Sequence, residues 1–527
     1  MTKKTMAAIL AMAALIGACA GPDADDSVAV ESTASALGLG EPLRLQAGSK
    51  LVVYGVTDDD FVLYQDGATL YASALTPNAP RLTVARVGDI QPIVLISGRV
   101  ALIWTRLFYF GPGGVSPLVV WTARSGPKLA STASIASFTA TQGVAVRPDS
   151  NEVVFITNAS ADGTVGDIVS ATPDLRSVRT LVSGVSIDFR GSCPPVVGFD
   201  TRPRPRDDGD DRLENLIRGR HAHPVIAYCP AGATTATLSR WVGGNKTDLA
   251  MGLRAPAQWS SDNGGDNYFT VLADGRKPVL VSAKGQITLL EDGPGRGGFF
   301  NYDGSVLAGI PTGNGAELRR YTGSPPEPSV VASFGTGFLF TSRHAGGFAH
   351  YTDSPLSRDA RLLMYANTVD GSTGLANIFL VDVTQPSPVP VQLEADLRAA
   401  ASFELFTRNS SHALYYTFDL NTGGNTLMAG SLSGGARKIS SGARTEFAHF
   451  ALTGSQVAYS DNLNGTGTDM FDKHDIMLAD VGAKQITPVA LAKGAYNLFF
   501  PTPNHRAIVY TSDANAASTG LFVARTR

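Results

Sequence analysis

The sequence predicts an all-β chain folded as a β-propeller, a ring of four-stranded antiparallel blades. Three observations carry that reading. A short apolar run, often ending in an aromatic residue, recurs ten times along the chain. Each copy is accompanied by further strand-like stretches, one before it and two after. Gly and Pro, 56 and 30 of the 527 residues, interrupt windows of helical length and supply turns.

The ten runs are FVLY ending at Tyr64, ALIW at Trp104, VVF at Phe155, VIAY at Tyr228, FTVL at Leu272, SVLA at Ala308, LLMY at Tyr365, LYY at Tyr416, VAY at Tyr459 and IVY at Tyr510. The last four lie 51, 43 and 51 residues apart. Four short strands in about 50 residues is the period of a propeller blade. Around Tyr459 they read FAHFAL, QVAYS, DIMLADV and KQITPV. A sandwich strand alternates apolar and polar residues because one face meets water. Runs such as LLMY, VIAY and IVY are continuously apolar, as strands covered on both faces by neighbouring blades must be. A solenoid would need terminal caps, and neither end resembles one.

Ten units exceed the usual four to eight blades. No linker marks a boundary, so one ring of 8–10 blades is favoured, with two smaller rings as the alternative. The tenth unit supplies three strands, NLFFPTP, RAIVYTS and GLFVART, while the body of the chain begins with an unassigned strand at 42–47, PLRLQA. Placed as the fourth strand of the last blade, that segment would close the ring and remove its open edges.

The charge balance excludes some function classes. Lys and Arg number 43 against 46 Asp and Glu, a net charge of -3, and charged residues make up 17% of the chain. Such a chain lacks the electrostatic footprint of a nucleic-acid binder. Its 43% hydrophobic content is ample for a core and excludes a disordered protein.

The first residues read as an address. Lys3 and Lys4 precede an apolar stretch from Met6 to Gly17, too short to span a bilayer. Ile16-Gly17-Ala18-Cys19 resembles the lipobox of bacterial lipoproteins. That resemblance implies a signal peptide over 1–19 with the lipid carried by Cys19, and Ala20 in place of Asp implies the outer membrane. Ala18-Cys19-Ala20 also fits ordinary secretory cleavage, which would give a soluble secreted or periplasmic protein. Residues 20–41 carry five acids and no Lys or Arg, the composition of a flexible acidic tether. The propeller body is then 42–527.

Cys193 and Cys229 remain once Cys19 is assigned to processing. PVVGFDT (195–201) and PVIAYCP (224–230) read as an antiparallel hairpin that brings the two cysteines together. In an exported protein this predicts a disulfide, with two buried thiols as the alternative.

Arg147-Pro148-Asp149-Ser150, Tyr302-Asp303-Gly304-Ser305 and Thr502-Pro503-Asn504-His505 each precede an apolar run. On these turns the units resemble the TolB-like, WD-like propeller repeat of bacterial envelope proteins, with its S-P-D-G turn before a strand. The resemblance implies an envelope setting and protein binding as the commonest role. The expectation is a cell-envelope lipoprotein acting as a binding or scaffold module with an envelope protein partner. It would meet the membrane through its anchor only and would not bind nucleic acid. The alternative is a propeller enzyme of the glycan hydrolase or lyase type, with a site at the central channel. No G-x-S-x-G nucleophile elbow occurs.

Candidate site residues fall in two groups. Long polar loops between second and third strands, at 158–167, 367–374, 418–425 and 460–475, should share one face. They present Asp162, Asp370, Asp419, Asn421, Asp461, Asp469 and Asp472. Oxygen ligands at Asp461, Asn464, Asp469, Asp472 and Asp475 could hold Ca²⁺, although Leu463 breaks an EF-hand spacing and solvated turns are the plainer reading. His350 and His449 occupy equivalent places in GFAHY and EFAHF, on the innermost strand near the channel. They read as metal or acid–base residues, or as packed structural histidines. The insert at 202–223, with six Arg and five acids, should leave by the opposite face as a polar loop or a docking element. Ser260-Ser261-Asp262-Asn263-Gly264 partly resembles the sialidase Asp-box and reads more simply as a turn.

Overall fold

The computed structural model describes residues 41–87, 92–105, 118–131, 143–160, 164–187, 193–200, 222–255, 259–262, 265–300, 304–313, 315–334, 337–340, 356–357, 359, 361–370, 375–400, 406–418, 425–440, 449–461, 473–513 and 519–526. Among these residues the chain is antiparallel sheet, broken only by a 3-10 turn at Asp274–Arg276.

Ten four-stranded blades follow one another. Blade 1 comprises Val52–Val56, Phe61–Asp66, Thr69–Ala74 and Leu82–Arg86. Blades 2 to 6 occupy 92–131, 145–186, 196–253, 260–289 and 296–334. Blades 7 and 8 share the strand Val391–Ala400, and blades 9 and 10 share Val489–Pro501. The first strands of adjacent blades lie together, as Ala145–Val146 does with Val196–Phe199, so each blade runs from the inside outwards.

Every one of the ten apolar runs falls on or at the end of a second strand. These strands are covered on both faces, and Tyr64, Trp104, Tyr365, Tyr416 and Tyr459 are fully buried there. Burying one such side chain contributes roughly 2–3 kcal/mol. Fourth strands meet solvent, and Val178, Met251, Ile287 and Val330 on them are exposed.

The core is not one mass but ten clusters, each shared by two neighbouring blades. Val100, Trp104, Val153 and Phe155 join blades 2 and 3. Leu307, Leu318, Leu363 and Tyr365 join blades 6 and 7, and Ile476, Leu478, Phe499 and Ile508 join blades 9 and 10. The last link, Leu45, Val53, Tyr64, Val509 and Val523, joins blade 10 to blade 1. The succession therefore closes on itself as a single ring.

The closing strand, Leu43–Gln46, pairs antiparallel with Thr519–Arg525, Leu43 opposite Val523. Gly520 makes the approach possible: at φ +146, a Cβ there would lie 2.2 Å from the Gln46 carbonyl oxygen. Blade 1 clasps the same strand. Arg81 donates to the Ala47 carbonyl at 2.7 Å, Gln46 to the Ala79 carbonyl at 2.6 Å, and Asn78 N–H to the Leu45 carbonyl at 2.9 Å.

Two details correct the sequence reading. The fourth strand of blade 9 begins at Val489, where KQITPV ends, and runs on into the first strand of blade 10. A bulge at Gly494, φ 61, lets one extended segment serve two sheets instead of breaking at a loop. In the turns between first and second strands, the fourth position is held in the left-handed region by Asp60, Ser150, Ser410 and His505 instead of Gly. A local hydrogen bond supports this conformation. Thr502 Oγ1 donates to Asn504 Oδ1 at 2.8 Å and accepts the Ala507 N–H at 3.2 Å, and Thr407 repeats the pattern with Asn409 and His412. The same turns bond blade to blade: Asp58 N–H to the Gly98 carbonyl, Arg99 N–H to Ser150 Oγ, and Asp359 N–H to Ser410 Oγ.

Candidate functional site

The densest buried polar cluster lies between blades 4 and 5. It is built on a hairpin, Val196–Phe199 and Pro224–Tyr228, whose strands are continuously apolar and buried. The chain leaves that hairpin at Asp200 and returns at His223, the two feet of the insert. Asp200 N–H donates to the His223 carbonyl at 3.1 Å, and His223 N–H donates to Asp200 Oδ1 at 2.7 Å. At the other end of the hairpin, Cys193 and Cys229 form a disulfide across Cα atoms 6.0 Å apart, where the hairpin reading had placed them. The stem is thus closed at both ends.

Asp200 has no exposed surface. A buried carboxylate must be paired and hydrogen-bonded, and this one is. Arg240 on Ala236–Val242 places Nε 2.7 Å from Oδ2, and the Tyr268 hydroxyl of blade 5 lies 3.3 Å from the same oxygen. Ser261 Oγ donates to the Asp200 carbonyl at 2.8 Å. Gly265, at φ +67, packs its backbone over the carboxyl, where a Cβ would come within 2.8 Å.

Burial raises the Asp200 pKa, against the pull of the His223 N–H and the Arg240 charge. Burial likewise pushes His223 down, with Asp200 opposing and Arg240 and Arg147 adding to the depression. Tyr268 is raised by burial and by the Asp200 charge. On the blade 3 side Arg147 pairs with Asp149 at 2.7 Å and Glu152 at 3.2 Å, while Glu152 accepts the Ser170 hydroxyl and faces Arg179 at 3.9 Å. Charges of alternating sign therefore bridge blades 3, 4 and 5. Both Asp200 oxygens are engaged, which suits a pin between blades better than a proton acceptor.

Solved propellers share this architecture. No family model matches the chain, and no curated protein matches it in sequence. A crystal structure of the eukaryotic initiation factor is similar with a TM-score of 0.46 and 12% identity, over 76% of this chain and 91% of that one. The dihydro-heme d1 dehydrogenase NirN is similar at 0.39 and 14%, over 76% and 75%. TolB from Acinetobacter baumannii is similar at 0.28 and 15%, over 64% and 78%. Such likenesses concern the fold alone, and here the fold rests on the sheets and their closure.

Among the residues singled out by sequence, Cys19, Asp162, Asp419, Asn421, Asp469, Asp472 and His350 lie outside the described residues. Asp370 ends the strand Leu362–Asp370, and His449 begins the first strand of blade 9 opposite Tyr459. Asp461 stands opposite Asp475 at the mouth of the blade 9 loop. Asp461 accepts the Ser440 hydroxyl from blade 8, and Asp475 accepts the Gly494 N–H at 3.0 Å. Asp167 makes the same bond to Gly184 at 3.1 Å, so an acid there supports the bulge of a fourth strand. Among the described residues, no group of three acids, histidines or cysteines is arranged to hold a metal ion.

Asp200, Arg240 and Tyr268 escaped sequence reasoning. An acid ending the apolar run PVVGFD was a usable signal, since a charge there must find a partner. Its partner in blade 5 was not, because 68 residues separate Asp200 from Tyr268.

Proposed function

We propose that the chain is a binding or scaffold module of the cell envelope, tethered to the outer membrane by a lipid on Cys19 and holding an envelope protein partner. The observation that carries this reading is the closed ring whose best-formed polar cluster is spent on joining blades. A rigid ring suits presentation of loops, and the strand ends at 160 and 164, 418 and 425, and 461 and 473 set several long loops on one rim. The Cys193–Cys229 disulfide fits an exported, oxidising setting. The partner reading is tested by photo-crosslinking in cells, with the probe at position 461 on the loop rim or at position 359 on the opposite rim. One adduct of defined mass from the first position and none from the second is expected. Absence of adducts from both positions would contradict it. Cys19→Ala is expected to move the protein from membrane to soluble fractions.

A further inference from the structure

We propose that His223 makes the junction of blades 3 and 4 acid-sensitive, so that protonating its ring loosens the foot of the hairpin that Asp200 holds. The proposal stands apart from the binding reading, since it concerns only the charges around one ring. His223 is anchored by its own N–H on Asp200 and lies within electrostatic reach of four charged groups. Two are cations, Arg240 on the third strand of blade 4 and Arg147 on the turn of blade 3. Two are anions, Asp200 on its own hairpin and Glu152 on blade 3. The anions are already committed: Asp200 to Arg240, and Glu152 to Arg147 and Arg179. Asp149 is held by Arg147, and Tyr268 reaches Asp200 from blade 5.

A proton on His223 therefore adds a third positive charge beside two guanidiniums whose counter-charges are in use. Desolvation disfavours the charged ring as well. The neutral ring fits the junction, and the cation is relieved by opening it. The hydrophobic contact of Val154, Ile156, Val197 and Phe199 that joins these blades is what an opening would expose.

Hydrogen exchange of the full chain, read by mass spectrometry at about pH 7.5 and about pH 5.5 and corrected for intrinsic rates, tests this. In the native chain, exchange in Val153–Thr157 and Pro224–Tyr228 should rise several-fold at the lower pH, while Ala507–Asp513 stays unchanged. His223→Gln should abolish the rise. His412→Gln, remote in blade 8, should leave it intact. An equal rise in His223→Gln, or a rise spread evenly over all blades, would overturn the proposal. So would a measured His223 titration at or above its ordinary value.

Discussion

Asp200 shows how one side chain can be worth more than its neighbours on the surface. Replacing it by Asn leaves Arg240 largely buried without its counter-charge, which costs about 3 kcal/mol in comparable pairs. Asp66→Asn removes a pair with Arg81 in which both side chains are about one-third exposed, at 32% and 36%, and should cost under about 1 kcal/mol. Urea denaturation of the two variants checks the difference. Histidines supply a second residue-scale outcome. His412 is held below its ordinary pKa by burial and the Arg437 charge, against Asp480, and His223 is depressed too. A depressed base binds its proton first in the unfolded chain. Stability is therefore fully present above about pH 6.5, the unperturbed value, and is lost as pH falls below it. Thermal melts over that range should show the slope, and His412→Gln should flatten part of it.

Strands and turns were the legible elements. Continuous apolar runs fixed the second strands because burial on both faces leaves no room for alternation. The S-P-D-G-like turns were legible for a different reason, since a hydroxyl or Arg at the first position must bond the acid or amide at the third. What escaped was the continuity of Val391–Ala400 and Val489–Pro501, where a strand passes from one sheet to the next. No residue pattern distinguishes a bulge that continues from a loop that breaks. The cross-blade partners of Asp200 escaped because they depend on packing between units. At this scale Gly520→Ala is a sharp probe, because its methyl group would meet the Gln46 carbonyl. The closing strand should loosen, with exchange in Thr519–Arg525 rising at least about tenfold, a loss of about 1.4 kcal/mol.

The whole molecule is a cycle of ten similar interfaces, so stability is shared, and weakening one link tests the rest. The disulfide closes 36 residues within blade 4. Replacing both cysteines by Ala should cost about 3–4 kcal/mol in the chain-entropy model and lower the melting temperature without opening the ring. Ring closure itself is the central claim, and it hangs on the two ends of the body sharing one sheet. The most direct measurement is a cysteine pair at register partners, Leu43→Cys with Val523→Cys, in a chain beginning after residue 19. Mild oxidation should give a near-complete bond within single molecules, while Leu43→Cys with Ile287→Cys, on the outer strand of blade 5, gives none. No bond between positions 43 and 523, or bonds only between molecules, would contradict the closed ring.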